Sequence, residues 1–197
     1  VGIRAGIAEQ IVDLGDVSLI MHGTTVATNA LLERKGARTG IITTRGFRDL
    51  IEMRRRDRPE TWGLWGMFEP VVARDLRLEV DERILADGRV HTALNLDQVR
   101  AAARALLDRG VQSVAIFFMN SYANDANERA AAAAVREIWP NFHVTASSEI
   151  LPEIREFERC STATLNAYLQ PHVGDYLERL QGGLRHDGFA GEVLMVQ

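Results

Sequence analysis

Cysteine is nearly absent from this sequence. Cys160 is the only one among 197 residues, so an internal disulfide and a cysteine-based metal cluster are both excluded. Lysine is as scarce: Lys35 stands alone among 23 lysines and arginines, a bias that reads as genome composition rather than function. Base is outweighed by 27 acidic residues, and the formal net charge of −4 excludes a surface that is a nucleic-acid footprint throughout. No apolar run approaches the roughly 20 residues that span a bilayer. Residues 1–11 lack the basic-then-apolar pattern of a secretory signal. The expected compartment is a reducing cytoplasm, with neither a membrane nor a nucleic acid as partner.

What is present is an ordinary globular balance, with 46% of residues apolar and 25% charged. The length suits one large domain with a sizeable core. The first residue is Val1, and the last six, 192–197, read as a strand in which the sequence stops. The expectation is an internal piece of a longer protein, with 1–197 forming a single α/β domain.

Apolar strand patterns alternate with helical ones. Ser18–His22, Thr39–Thr43 and Ser113–Met119 read as strands, the last apolar at nearly every position as in a strand buried on both faces. His143–Ala146 and Glu192–Val196 are weaker strand candidates. Thr25–Arg34, Leu96–Asp108 and Ala126–Ile138 carry helical periodicity. This alternation predicts a mostly parallel sheet flanked by helices. Two segments interrupt it. Arg54–Pro70 reads as a long loop, and Arg74–Val90, with its Asp87-Gly88 turn, predicts an antiparallel excursion within about 71–95. A long helix is expected over about 158–187, with one apolar stripe through Leu165, Leu169, Val173, Tyr176, Leu180 and Leu184, and a kink or break at Pro171.

Four clusters are candidates for chemistry. His22-Gly23-Thr24-Thr25 falls where a strand ends and a helix begins, the place where parallel sheets bind ligands and where backbone N–H groups favour phosphate. A plain threonine cap is the competing reading. Asn29, one turn on, would bond a ligand or a neighbouring loop. Arg54, Arg55, Arg56 and Arg58 would clamp an anion or form a solvated charge run, with single-stranded nucleic acid a distant third. Glu149, Glu153, Glu156 and Glu158 are close enough to act as acid and base or to hold a metal, or they make a polar helix start. Cys160 sits among small residues in a helical pattern and reads as a buried structural thiol rather than a nucleophile.

Taken in order, these blocks resemble one family. His22–Thr25, Ala27–Ala30, Gly40–Thr44 and Gly46–Asp49 resemble the His-Gly-Thr-Thr, Ala-Thr-Asn-Ala, Gly-Ile-Ile-Thr-Thr and Gly-Phe-Arg-Asp blocks of the hydantoinase A / 5-oxoprolinase N-terminal region. Residues 120–137 and 147–171 resemble its Ser-Tyr-Ala-Asn block and its Glu-x-x-Pro-Glu-x-x-Glu-x-Glu-Arg segment.

The resemblance implies half of an actin-like ATPase (ribonuclease H-like) fold. It implies ATP cleavage coupled to opening a cyclic amide of the hydantoin or 5-oxoproline type, or to carboxylation of a ketone. ATP and a divalent metal, Mg or Mn, are the implied cofactors of the parent. A small cyclic amide and a second subunit of the hydantoinase B type, or a fused domain, are the implied partners. The family's Asp-x-Gly-Gly-Thr phosphate loop is not in this sequence, so the chain alone is expected to be inactive and need hold neither cofactor. Phosphorylating an amide carbonyl oxygen would create an electrophile with a good leaving group. Such a site needs phosphate donors and a base. Gly23, Thr24, Thr25 and Asn29 are the implied nucleotide-binding residues, and Arg56 and Arg58 the implied anion or substrate contacts. His22, with an ordinary pKa of about 6.5, would exchange protons, and Glu153 and Glu156 would serve as base or metal ligands. A reading from another class is a non-catalytic module that docks a partner subunit through the apolar side chains of Trp62–Phe68.

Overall fold

The computed structural model describes residues 13–55 and 68–196. Its strands are β1 (Leu19–Gly23), β2 (Thr39–Thr44), β3 (Arg77–Val80), β4 (Arg83–Ile84), β5 (Val90–Thr92), β6 (Ser113–Phe117), β7 (Val144–Ala146) and β8 (Glu192–Val196). Its α-helices are α1 (Val26–Leu32), α2 (Leu50–Met53), α3 (Leu96–Asp108), α4 (Ala126–Arg136), α5 (Ser147–Ile150) and α6 (Glu156–His186). Two compact units share the chain. One comprises Val1–Lys35 with His172–Gln197, the other Gly36–Pro171.

The larger unit is a four-stranded parallel sheet of order β3-β2-β6-β7. Every residue of β2, β6 and β7 is buried, which explains their apolar and small residues and the absence of charge. In-register partners of a parallel sheet project to the same face. Gly40, Val114 and Val144 are one such row and Ile41, Ala115 and Thr145 the next. Leu106 of α3 packs at Gly40, and Asn166 of α6 donates to Thr145 Oγ1 at 3.0 Å, so a helix covers each face. Asn95 starts α3 by accepting the Gln98 N–H on its side chain, at 3.1 Å.

The antiparallel excursion is shorter than the sequence pattern implies. β4 and β5 form the antiparallel pair around the Asp87-Gly88 turn, with Gly88 at φ +83°. Of the preceding Leu76-Leu78-Val80 alternation, Leu76 ends a 3-10 turn and Leu78 and Val80 belong to β3, a parallel edge strand beside β2. The hairpin is tied to the β6–α4 connection by two amides: Asn120 donates to the Ile84 carbonyl and Asn124 to the Gly88 carbonyl, each at 2.8 Å.

The long helix runs unbroken through Pro171, against the expected break, and the boundary between the two units falls at that proline. Its buried face also differs from the expected stripe. In the larger unit Cys160, Ala163, Thr164, Ala167 and Tyr168 are buried, whereas Leu165 and Leu169 are only half-buried. Small side chains let the helix lie close to the sheet. Tyr168 fills the space above Gly36, where a Cβ would meet its ring at 2.2 Å.

The smaller unit pairs β1 with β8 in parallel over a core of Ile20, Leu184 and Phe189, with Leu14, Val17, Leu180 and Val193 packed against it. Here the expected stripe holds through Leu180 and Leu184. The opposite face of the pair, with Leu19, Met21 and Leu194, is exposed.

At Gly40 an added Cβ would sit 2.8 Å from both Leu106 methyl groups. Gly40→Ala is expected to cost about 1–3 kcal/mol by overpacking. In a Leu106→Ala background the same substitution should cost much less, read as non-additive urea midpoints.

Candidate functional site

The His22–Thr25 segment spans the carboxyl end of β1, a strand in a parallel pair whose last two residues are His22 and Gly23. Gly23, Thr25 and Asn29 are exposed, and His22 and Thr24 half-buried. Thr24 Oγ1 accepts the Val26 N–H at 3.2 Å, and Thr25 Oγ1 accepts from Asn29 Nδ2 at 3.2 Å. Asn29 therefore bonds its own helix start rather than a distant loop. Thr25 occupies the N-cap position without a side-chain cap bond, so the plain-cap reading fails for it. The helix that follows has only 7 residues, so the turn's own donors matter more than a helix dipole. The imidazole of His22 meets the Tyr176 hydroxyl, Nε2 to Oη 2.5 Å.

The acidic candidates belong to the larger unit. Glu153 is exposed. Glu156 is half-buried at the start of α6, where its Oε1 accepts the Asn120 N–H at 3.4 Å and lies 3.5 Å from an Arg159 nitrogen. Glu149 forms a two-pronged pair with Arg136, and Glu158 pairs with Arg55. Three of the four carboxylates are thus dispersed onto separate partners. Among the described residues, no group of three or more His, Cys, Asp or Glu gathers as metal ligands. Of the arginine run, Arg54 lies over the Phe68 ring at 4.5 Å, while Arg56 and Arg58 lie outside the described residues. So do Trp62 and Trp65, whereas Phe68 is exposed. Cys160 is buried, and burial pushes its thiol up to about 12, which makes it inert as a nucleophile at neutral pH.

Sequence reasoning missed a polar network at the carboxyl edge of the four-stranded sheet. The connections from β2 and into β6 lead to opposite sides of β2, so the topological switch point lies between β2 and β6. Thr44 ends β2 there, donates to Glu82 and accepts the Met119 N–H at 2.9 Å. Glu82 also accepts from Asn127 Nδ2 at 3.0 Å. Glu128, fully buried, accepts the Phe118 and Ser148 N–H groups at 2.9 and 2.6 Å and the Ser147 hydroxyl at 2.9 Å. Arg159, also fully buried, donates to the Phe118 and Glu153 carbonyls at 2.8 and 2.9 Å and stacks over Phe117 and Tyr122. One signal was legible. Glu128 shares the helical spacing of Ala131, Ala132 and Val135, a charge on the apolar face of α4.

Burial raises the Glu82 carboxyl above the usual range, and its bonds to Thr44 and Asn127 offset part of the rise. Between the ordinary and the raised value the folded chain keeps a proton that the unfolded chain has released. Stability contributed by Glu82 therefore falls as pH rises through that window. Relative to wild type, Glu82→Gln should gain stability progressively across it. Urea midpoints of both proteins from pH 4 to pH 8 check this, and parallel profiles would refute it.

Comparison with known proteins gives this geometry a family. Residues 1–139 match the hydantoinase/oxoprolinase N-terminal region. Caprolactamase subunit alpha of Pseudomonas jessenii is 36% identical over 170 residues, 85% of this chain and 24% of that protein. The crystal structure of that organism's ATP-dependent caprolactamase superposes with a TM-score of 0.91 at 32% identity, covering 98% of this chain and 30% of that one. The acetophenone carboxylase gamma subunit of Aromatoleum aromaticum is 32% identical over 194 residues, 91% of this chain and 26% of the subunit. The 5-oxoprolinase of Saccharomyces cerevisiae is 31% identical over 201 residues, 88% of this chain and 16% of the enzyme. The chain spans about a quarter of the length of the first curated relatives, 28%, 24% and 26%. Its relatives thus include cyclic-amide hydrolases and a carboxylase subunit, and no described helix is long and apolar enough to cross a membrane. The chain belongs to the hydantoinase/oxoprolinase family, whose N-terminal region it carries.

Proposed function

We propose that this chain is the N-terminal region of an ATP-dependent hydrolase that opens a cyclic amide of the hydantoin or 5-oxoproline type, working in the cytoplasm with a second subunit or a fused domain. The observation that carries the reading is the His22–Thr25 turn, with Gly23 and Thr25 exposed, at the carboxyl end of a parallel strand. Its backbone N–H groups and the Thr24 and Thr25 hydroxyls suit phosphate oxygens. ATP would supply the phosphoryl group that activates the amide carbonyl. In this reading Gly23, Thr24, Thr25 and Asn29 line the phosphate side and His22 exchanges or donates a proton there. Glu153 stays open as a base. Glu156 is committed to Asn120 and Arg159 and is the weaker candidate. No group of three or more His, Cys, Asp or Glu gathers among the described residues, so a divalent metal accompanying ATP would be held mainly by phosphate oxygens and water. Arg56 and Arg58 remain candidates for an anionic group.

A second reading is a subunit of an ATP-dependent ketone carboxylase, favoured by the 32% identity to the acetophenone carboxylase gamma subunit. Both use the same nucleotide chemistry on different acceptors. The full-length protein with its partner subunit separates them. ATP cleavage stimulated by a hydantoin or by 5-oxoproline without bicarbonate is the expected result, and strict dependence on bicarbonate and a ketone would transfer the assignment to a carboxylase. In that protein His22→Ala should lower kcat/KM about 100-fold or more. Unchanged turnover would remove His22 from the site.

A further inference from the structure

Three polar side chains of the His22–Thr25 turn share one arrangement. Thr24 Oγ1 accepts from the Val26 N–H, and Thr25 Oγ1 accepts from Asn29 Nδ2. A hydroxyl that accepts a bond still carries its own proton to donate. The third member is His22, whose one side-chain hydrogen bond among the described residues is to Tyr176, 2.5 Å from Nε2. The two rings stack with centroids 5.9 Å apart and 29° between planes.

That bond has two possible directions, and acidity decides between them. A phenol gives up its proton near a pKa of about 10, and neutral imidazole nitrogen accepts one near about 6.5. The phenol O–H is thus the better donor and the imidazole lone pair the better acceptor, so Tyr176 donates to Nε2. A neutral imidazole has a single N–H, which then sits on Nδ1. Tyr176 is well placed to enforce this. It lies on α6 one turn before Leu180 and two before Leu184, and these leucines pack with Ile20 of β1. Helix rotation and strand register are therefore fixed together, and the hydroxyl is fixed with them.

We propose that Tyr176 is a positioning residue that holds His22 in the Nδ1–H tautomer. The imidazole is thereby a hydrogen-bond donor rather than a base acting through Nε2. With the Thr24 and Thr25 hydroxyls, whose oxygens each accept one internal bond, it leaves three side-chain protons for a ligand. Three side-chain protons offered by one turn favour an anionic oxygen ligand, and phosphoryl oxygens are the chemistry they fit. The inference rests on the reading that this turn faces the nucleotide, and it replaces proton abstraction by His22 with donation.

The test is the tautomer itself, read from long-range proton–nitrogen correlations of the 197-residue chain labelled with nitrogen-15 at its five histidines. His22→Gln assigns the His22 signals. At pH 8.5, where an ordinary imidazole is neutral, the expected result is a protonated Nδ1 and a bare Nε2. Tyr176→Phe keeps the ring and removes the hydroxyl, and it should move His22 toward the Nε2–H form. A protonated Nε2 in the wild type, or a tautomer unmoved by Tyr176→Phe, overturns the inference. ATP cleavage by the full-length protein tests the underlying reading separately. Wild-type turnover in His22→Gln alongside the expected tautomer leaves the role of Tyr176 standing and removes the turn from the nucleotide site.

Discussion

Glu128 carries a carboxylate into the interior of the larger unit and meets N–H and O–H groups there. Both of its oxygens are satisfied, by Phe118 and Ser148 main chain and by the Ser147 hydroxyl. An ionised group in that position would be prohibitive without such bonds, and with them it is a strong constraint. It fixes the chain leaving β6 and the chain leaving β7 at once. With Phe118 held, the next N–H reaches Thr44 and the Phe118 carbonyl faces Arg159. The whole carboxyl edge of the sheet, Glu82 and the β4–β5 hairpin included, is arranged outward from this buried acid.

The smaller unit solves a related problem with fewer parts. Its two strands are parallel, and one face is closed by Leu180, Leu184 and Phe189. The turn at the end of β1 is consequently open to solvent yet positioned by the packing of Ile20, two residues before His22. A rigid strand end that carries an exposed polar turn is how parallel sheets present groups to ligands. The family relationship makes that turn the natural focus, since the blocks that carry the resemblance begin there.

Much of the fold was legible because burial on both faces leaves so plain a trace. The apolar run through Val114 and Phe117 has no polar interruption, and Leu96–Asp108 has matching periodicity and an asparagine cap. The parallel character of β3 was not legible. Its four residues carry an apolar-polar alternation in sequence that burial does not follow, since Arg77 is buried and Leu78 only partly so. The long helix misled for a different reason. Burial there follows close approach rather than side-chain size, so alanines and Cys160 lie inside while Leu165 and Leu169 are half-buried. The turn at His22–Thr25 could be placed from its position between strand and helix, but its Tyr176 partner is 154 residues away and has no local signal. Glu82 and Arg159 were hidden likewise, because a lone charge in a sequence reads as solvated until its partners from distant loops are known.

Arg159 has one more implication. Its guanidinium holds the Glu153 carbonyl and so sets the course of the chain that leads from Glu153 to Glu156. Guanidinium keeps its proton under any conditions in which proteins fold, and its planar fork cannot be replaced by the point charge of a lysine. The approach to α6 is therefore anchored by a permanent cation that acidity cannot switch off.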